Sequence, residues 1–323
     1  MAGLRAGSLT ALGLTLLCLG GCDDGRTRLV VRTEMPRALR DVVEASFEAS
    51  EPGVDVRFDV DDEAATVDAL SPAAEPAPFD VWWGAAGPSL ERAARSGALE
   101  GWRPLLGTPW VIAFDRDRVG LPEAPRDWVD VLHHGWVEEV AVPDPARSDV
   151  GARFVGAAVG EAVHAEGLSW VGLEWLERLD RQVVRYVPDE REALRALRVE
   201  LASLALLRRA TVEDARADDE SLHYRIPEGG TPVDVLGAGV VAGSAVPDAA
   251  RRFIDHLASD VVLAASAEHT GWEPLVPMEP VDSLAASPRS GEWLGYPLAA
   301  GLVVDSLATW LDRWTREVRG RGK

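Results

Sequence analysis

The hydrophobic positions of this chain alternate between the spacing of β-strands and that of α-helices from about residue 28 onward. Short apolar or alternating runs predict strands at residues 29–31, 54–58, 80–83, 139–142 and 183–187. Apolar stripes of helical period predict helices that begin at Pro36, Pro88, Gly151, Pro247 and Val303. Strands that alternate with helices predict an α/β fold in which mostly parallel sheets are flanked by helices.

The stretch from Asp189 to Ala210 fits two different structures. It is either one long helix or a helix followed by a strand at Leu204–Leu207, whose end presents Arg208 and Arg209. The sequence pattern alone leaves both open.

The first 21 residues have the pattern of an export signal peptide. Arg5 precedes an uncharged apolar run, Leu9–Leu19, which is too short to span a bilayer. The run ends in Leu19-Gly20-Gly21-Cys22, which resembles the site at which bacterial lipoproteins are cleaved and acylated on the cysteine. The alternative is an ordinary signal peptide with an incidental cysteine.

Cysteine usage favours lipidation of Cys22. Cys18 lies within the apolar run and is removed with it, so the mature chain keeps one cysteine and forms no internal disulfide. Residues 22–27 then form a short tether. We expect an exported protein that its lipid anchors to the outer side of the cytoplasmic membrane.

Composition and charge exclude other classes of protein. The 323 residues are 47% hydrophobic and 27% charged, which is typical of a folded globular chain. The 53 acidic residues outnumber the 33 basic ones and give a formal net charge of −20, without any basic run. We therefore expect no nucleic-acid partner. We also expect a monomer.

No motif predicts catalysis. Gly167–Gly172 lacks the spacing of a G-x-S-x-G nucleophile elbow, and Gly237–Gly243 is one residue too long for a dinucleotide fingerprint. His133 and His134 stand in a predicted turn without the companion ligands of a metal motif. We expect no enzyme activity, no cofactor and no metal site.

Eight short motifs carry information through their order. They are Leu29-Val30-Val31, Glu51-Pro52-Gly53-Val54, Phe79-Asp80-Val81-Trp82-Trp83, Gly97-Ala98-Leu99-Glu100, Pro125-Arg126-Asp127-Trp128, Ala141-Val142-Pro143-Asp144-Pro145, Ile226–Pro232 and Val246–Ala250. Together, over nearly all of residues 28–275, they resemble the extracellular solute-binding proteins of ATP-binding-cassette (ABC) importers. The branch in question includes ferric-iron, polyamine and phosphonate binders.

The resemblance implies a two-lobed, type II periplasmic-binding-protein fold, in which each lobe is a mostly parallel sheet flanked by helices. Lobe one would comprise residues 28–109 and 234–280, lobe two residues 112–225, and a C-terminal helical segment residues 281–323. Thr108–Phe114 and Pro227–Val235 would be the two crossing segments.

The resemblance also implies a function. The protein would capture a small polar or charged solute by hinge closure and deliver it to an ABC permease in the inner membrane. A sensory lipoprotein that signals to a membrane partner is the alternative, and an exported enzyme on a related fold is a third.

Ligands of open α/β sheets bind beyond the carboxyl ends of the strands. Four such places supply candidate ligand-binding residues, namely Thr33 and Glu34; Trp83 and Gly84; Arg147, Ser148, Asp149 and Gly151; and Arg208 with Tyr224. Two of these have structural alternatives, because Trp82 and Trp83 would also suit a core and Asp149 would also suit a helix N-cap.

The ligand class stays open at this stage. Family members that bind ferric iron use paired adjacent tyrosines, whereas Tyr186, Tyr224 and Tyr296 are isolated, so iron is the less expected cargo. An anion would use Ser148, a helix N-terminus and an arginine. A polyamine would use carboxylates such as Glu34 and Asp149 with aromatic walls.

Overall fold

A computed structural model of the chain describes residues 25–70, 77–277, 286–288, 294–295 and 300–321. Its strands are β1 (Thr27–Thr33), β2 (Val54–Val60), β3 (Val81–Ala86), β4 (Leu99–Asp115), β5 (Val140–Pro143), β6 (Val183–Val187), β7 (Leu204–Arg208), β8 (Leu222–Arg225), β9 (Val233–Val241), β10 (Glu273–Pro277) and β11 (Ala286–Pro288). Its α-helices are α1 (Arg37–Ser50), α2 (Glu63–Ala69), α3 (Gly87–Arg95), α4 (Asp149–Glu166), α5 (Ser169–Asp180), α6 (Glu190–Arg198), α7 (Arg209–Arg216), α8 (Pro247–Leu257), α9 (Asp260–Thr270) and α10 (Ala300–Arg313). The predicted signal peptide and the predicted lipidation site, Cys22, lie outside the described residues.

The long strand β4 joins two groups of strands, which we call lobe one and lobe two. Residues Leu99–Pro109 of β4 pair with β9 in lobe one, whose strand order is β2-β1-β3-β9-β4. From Trp110 onward β4 pairs with β7 and β8, and lobe two continues to β5 and β6. The chain therefore crosses between the lobes at Pro109 and Trp110, and it crosses back just before Val233 of β9.

Both sheets mix parallel and antiparallel pairs. The pairs β1–β2, β1–β3, β5–β6 and β5–β7 are parallel, as expected where a helix connects successive strands. The crossing strands β4 and β9 run antiparallel to their neighbours. The sheets are thus less uniformly parallel than the sequence pattern predicted, because each crossing strand enters its lobe from the opposite edge.

Each lobe has its own apolar core. In lobe one, α1, α8 and α9 cover the sheet with side chains that include Leu39, Phe47 and Phe253. In lobe two, α4, α5 and α10 cover one face and α6 and α7 the other. Helix α10 packs mainly on α4 and also contacts α3 of lobe one, where Asp305 pairs with Arg95.

The structure decides the ambiguous stretch from Asp189 to Ala210. It forms α6 and then β7, so the second of the two predicted structures is correct. On α1, Val42 is exposed, whereas its neighbour Val43 is buried. Within the described ranges, the helices are too short or too polar to cross a membrane.

Candidate ligand-binding cleft

The carboxyl ends of the strands of both lobes face the crossing point. In lobe one, Ala86 at the end of β3 pairs with Leu236 of β9. Leu236 also pairs with Leu106 of β4, which is three residues before the crossing residue Pro109. In lobe two, Arg208 at the end of β7 pairs with Trp110. The carboxyl edges of the two sheets therefore face each other across the crossing segments and form the candidate cleft. Ligands of α/β sheets bind at such edges.

Strand β1 ends at the lobe-one edge in Thr33 and Glu34. Thr33 is buried, and its hydroxyl accepts a hydrogen bond from the backbone N–H of Met35 at 3.0 Å, so it shapes the turn. Glu34 is exposed. Gly84 lies opposite, in a bulge of β3 with φ of +86°, where the Met35 side chain leaves no room for a Cβ atom.

A carboxylate that the sequence pattern had not indicated occupies the N-terminus of α3. Glu63, at the start of α2, accepts a hydrogen bond from the backbone N–H of Ala86 at 3.3 Å. Its other oxygen accepts one from the hydroxyl of Ser89. The positive end of the α3 dipole is thus already balanced by a side chain of the protein.

Glu34 lies in acidic surroundings. Partial desolvation raises its pKa above the ordinary value of 4.5, and the nearby carboxylates of Glu63, Asp62 and Asp61 raise it further. A hydrogen bond from the backbone N–H of Glu63 opposes these effects without cancelling them. The ionised form of Glu34 is therefore less stable here than in water.

The loop after β5 supplies four predicted site residues at the lobe-two edge. Ser148 is the N-cap of α4, and its hydroxyl accepts a hydrogen bond from the N–H of Gly151 at 3.3 Å. Asp149 is exposed in the first turn of α4 and Arg147 is exposed beside it. Gly151 lies against the backbone of the preceding loop, where a Cβ atom would come within 2.4 Å of the carbonyl oxygen of Pro143. Close packing therefore explains this glycine.

Arg208 lies next to this loop and is held by two carboxylates. Its backbone N–H donates to Glu190 Oε1 at 2.8 Å, and its Nε donates to Glu190 Oε2 at 2.9 Å. Its Nη1 lies 3.7 Å from Asp234. Burial lowers the pKa of Arg208, but the Glu190 and Asp234 carboxylates together raise it by more, so that it lies above its ordinary value.

Asp234 also connects the two lobes. It lies on β9, where it pairs with Thr108 of β4, and its Oδ2 accepts a hydrogen bond from Arg153 Nε on α4 at 3.0 Å. Nearby, the N–H of Ala210 on α7 donates to the hydroxyl of Thr108 at 3.0 Å. The floor of the cleft is therefore a connected polar network.

The structure places Trp83 in the core. The side chain is 2% exposed and packs against Phe58 and Phe253, and Trp82 is buried on the other face of β3. The suggested stacking of Trp83 on a ligand stays a prediction that this placement does not favour. The alternative, that both indoles belong to the core, explains their positions.

Tyr224 lies apart from Arg208, with which it was grouped. It lies on β8 and pairs with Ala113 of β4. Ala113 is three residues beyond Trp110, the residue that pairs with Arg208. Its hydroxyl donates to Glu213 of α7 at 2.5 Å, and burial together with Glu213 raises the pKa of Tyr224 to about 12. This arrangement ties the side chain to α7 rather than directing it toward the cleft.

The sequence pattern missed Glu63, Glu190, Arg153 and Asp234. Glu63 follows β2 and Glu190 follows β6. The other candidates were selected because they lie beyond the carboxyl end of a strand, and the same criterion would have included these two. Arg153 and Asp234 gave no local signal, because their importance arises from a contact between residues 81 positions apart.

Comparison with known proteins identifies the family. The family model of the bacterial extracellular solute-binding proteins matches residues 27–273, which is most of the chain. The chain belongs to that family. This extracellular solute-binding protein has a curated relative in Sinorhizobium fredii, the probable ABC transporter periplasmic-binding protein y4fP. The two are 28% identical over 222 residues, 66% of this chain but only 60% of the relative.

Solved structures of other solute-binding proteins share the fold. The Trichodesmium protein IdiA (FutA), in complex with iron and citrate, has a TM-score of 0.74 and 14% identity. The ferric iron-binding protein A of Mannheimia haemolytica, in an open conformation, has a TM-score of 0.73 and 16% identity. Each match covers 90% of this chain and 98% of the other. The predicted type II periplasmic-binding-protein fold is thereby confirmed.

Proposed function

We propose that this chain is the substrate-binding component of an ABC importer and captures a small, positively charged solute in the cleft between its lobes. The single observation that carries the proposal is that the carboxyl edges of both sheets face each other across the crossing segments. A solute that contacts both edges favours the closed arrangement of the lobes, which is how such a protein traps its cargo. The Sinorhizobium relative, a probable ABC transporter component, supports this function.

The N-termini of two helices at the cleft, α3 and α4, disfavour an anionic solute. Helix N-termini attract anions through their unpaired N–H groups and dipole. At α3, the carboxylate of Glu63 already accepts from Ala86 and Ser89. At α4, the hydroxyl of Ser148 accepts from Gly151, and Asp149 adds a negative charge to the first turn. An anion would have to compete with these groups.

The arginines of the cleft floor are also neutralised. Arg208 is paired with Glu190 and Asp234, and Arg153 shares Asp234. The two cations and two carboxylates balance one another, so this network has little net charge to offer an anion. Arg147 and Asp149, exposed on the same loop, carry opposite charges.

Glu34 and Glu63 leave the lobe-one edge negatively charged. Desolvation and, to a smaller extent, the neighbouring carboxylates raise the pKa of Glu34, and a cation bound there would favour its ionised form. An amine-bearing solute of the polyamine class fits best. The iron-binding neighbours suggest another cargo, but Tyr186 and Tyr224 donate their hydroxyls to Asp180 and Glu213, and burial raises both pKa values, which opposes phenolate formation.

We further infer that the protein is exported and lipidated on Cys22, and that it works as a monomer with a permease in the inner membrane. The lipobox-like Leu19-Gly20-Gly21-Cys22 supports the anchor. In a bacterial host, the full chain should incorporate labelled fatty acid and fractionate with membranes, whereas Cys22→Ala should do neither. Fatty acid incorporation by Cys22→Ala would contradict the inference. The sensory alternative has no observation in its favour.

Calorimetric titration of the chain from Asp23 onward tests the solute class. Putrescine and spermidine should bind, whereas phosphate, a phosphonate and ferric citrate should not. Glu34→Gln should weaken amine binding about tenfold or more, as expected for loss of a charge-assisted hydrogen bond. Asp41→Asn, on the exposed face of α1, is the matched control and should bind normally. Preferential anion binding would refute a cationic solute.

A further inference from the structure

Asp144 organises the loop that leads from β5 to α4 at the lobe-two edge of the cleft. Its carbonyl oxygen accepts hydrogen bonds from the backbone N–H groups of Arg147, at 3.0 Å, and Ser148, at 2.8 Å. Its carboxylate Oδ1 accepts another from the backbone N–H of Ala146 at 3.0 Å. The position of Asp144 therefore fixes the backbone of this loop, and with it the start of α4.

The carboxylate of Asp144 is buried, with only 3% of the side chain exposed. A buried carboxylate is unfavourable unless a cation and hydrogen bonds compensate its charge. Among the described residues, Arg319 is the one cation that forms a salt bridge with it, at 2.8 Å between Nη2 and Oδ2. Arg319 lies 175 positions later in the sequence, in the turn that follows the last helix.

Arg319 is itself held in place by aromatic side chains. Trp314–Val318 form a short π-helix after α10, and the N–H of Arg319 donates to the carbonyl oxygen of Trp314 at 2.9 Å. The guanidinium lies 5.7 Å from the ring centre of Tyr186 on β6 and 5.5 Å from that of Trp314. These two rings pack edge to face, 5.3 Å apart. Cation–π attraction to both rings therefore favours the place of Arg319 beside Asp144.

The loop depends on this cation. Without Arg319, the buried carboxylate of Asp144 is stabilised if it turns toward water, because an uncompensated buried charge is costly. That movement breaks its hydrogen bond from Ala146 and releases one of the contacts that hold the loop. The residues that follow Ala146, including the exposed carboxylate of Asp149 in the first turn of α4, then lose their fixed position.

We propose that Arg319 is a positioning residue for solute binding, which acts through Asp144 on the loop at the lobe-two edge. The inference rests on the proposed function, in which a cationic solute contacts both edges of the cleft. It gives a role in binding to the end of the chain, which lies beyond the residues that the family model matches. Arg319 performs this role without touching the solute.

Spectra of the free protein test the effect on the loop. In ¹H–¹⁵N spectra of Arg319→Gln, the backbone amide signals of Ala146, Arg147 and Ser148 should move. Arg316→Gln is the matched control, because Arg316 pairs with Asp312 on the exposed surface of the same segment, and these signals should stay in place. Val303→Ala is a second control. It removes packing against α4 at Gly156 and should lower the melting temperature without moving the loop signals.

Calorimetric titration with spermidine tests the effect on binding. Arg319→Gln should bind about fivefold more weakly, as expected when a charge-assisted contact is misplaced. Arg319→Lys keeps a cation and should bind more tightly than Arg319→Gln. Asp144→Asn removes the charge that needs a cation but keeps an oxygen that can accept from Ala146. In the Asp144→Asn background, Arg319→Gln should therefore change the affinity little.

The two measurements separate this inference from the proposed function. Loop signals that stay in place in Arg319→Gln would overturn the positioning role, whatever solute binds. Moved signals with unchanged spermidine affinity would also overturn it, as would equal losses of affinity in Arg319→Gln and Val303→Ala. If the wild type bound no spermidine while the loop signals moved as expected, the proposed solute class would be wrong and the control of the loop by Arg319 would stand.

Discussion

Arg153 on α4 and Asp234 on β9 form an ion pair across the two lobes, with 3.0 Å between Nε and Oδ2. Asp234 pairs with Thr108 in the lobe-one part of β4, whereas α4 belongs to lobe two and carries the Ser148 loop at its start. The pair therefore fixes the position of that loop relative to the crossing segments. Asp234 also lies near Arg208, so one carboxylate serves two cations.

Asp234→Asn should destabilise the protein. Its side chain is only 9% exposed, and removing its charge leaves Arg153 and Arg208 with too little compensation. Removing one partner of a buried ion pair lowers the free energy of unfolding by about 3 kcal/mol. Urea denaturation measures this loss. Asp41→Asn, whose partner Arg37 is exposed, should change stability little. Equal effects of the two variants would contradict a structural role for Asp234.

Gly84→Ala should also destabilise. Its φ of +86° is unfavourable for a residue with a Cβ atom, and that atom would lie 2.5 Å from the end of the Met35 side chain. We expect a loss of about 1 to 3 kcal/mol in urea denaturation. Gly53→Ala is the control, because a Cβ atom there meets nothing within 4 Å and its φ is not positive. A loss no larger than that of Gly53→Ala would show that the bulge tolerates a side chain.

Trp83→Leu should reduce stability without changing solute affinity. The indole fills space between Phe58 and Phe253, and replacing a buried tryptophan by a smaller residue costs about 3 kcal/mol. Urea denaturation and amine titration of the same sample measure the two effects separately. Weaker binding by fully folded Trp83→Leu would instead favour the stacking role suggested from the sequence.

Ser148→Ala should weaken the start of α4. The hydroxyl caps the helix through Gly151, and loss of an N-cap costs about 1 kcal/mol in unfolding free energy. Ser148→Asp keeps an acceptor at this position and should retain most of the stability. If phosphate affinity fell in Ser148→Ala while stability was unchanged, the loop would be an anion site and not a helix cap.

Glu34→Gln should have a pH-dependent effect on stability. The raised pKa means that the folded state binds a proton at Glu34 more tightly than the unfolded state does. The wild type therefore loses stability relative to the variant as the pH rises through the region above 4.5. Urea denaturation at pH 4 and pH 7 should show a larger benefit of Glu34→Gln at pH 7. The reverse order would mean that a cation of the protein compensates Glu34.

The sequence by itself determined most of the secondary structure and the family. Strands such as Val183–Val187 and helices such as Pro247–Leu257 follow from local periodicity, because neighbouring positions decide which face of an element is apolar. The order of motifs then predicted the two-lobed fold. Glu34, Ser148 and Arg208 were found at the carboxyl edges because position along a strand is also a local property.

Only the tertiary structure decided which of these groups meet. Trp83 could face a ligand or a core, and the packing of α8 against the sheet buries it. Arg208 was predicted as a ligand-binding cation, but Glu190 and Asp234, distant in sequence, neutralise it. Glu63 reaches the start of α3 from another helix. The net charge of the cleft depends on which charged residues folding brings together. Local sequence patterns cannot predict these pairs, because the partners are distant in the sequence.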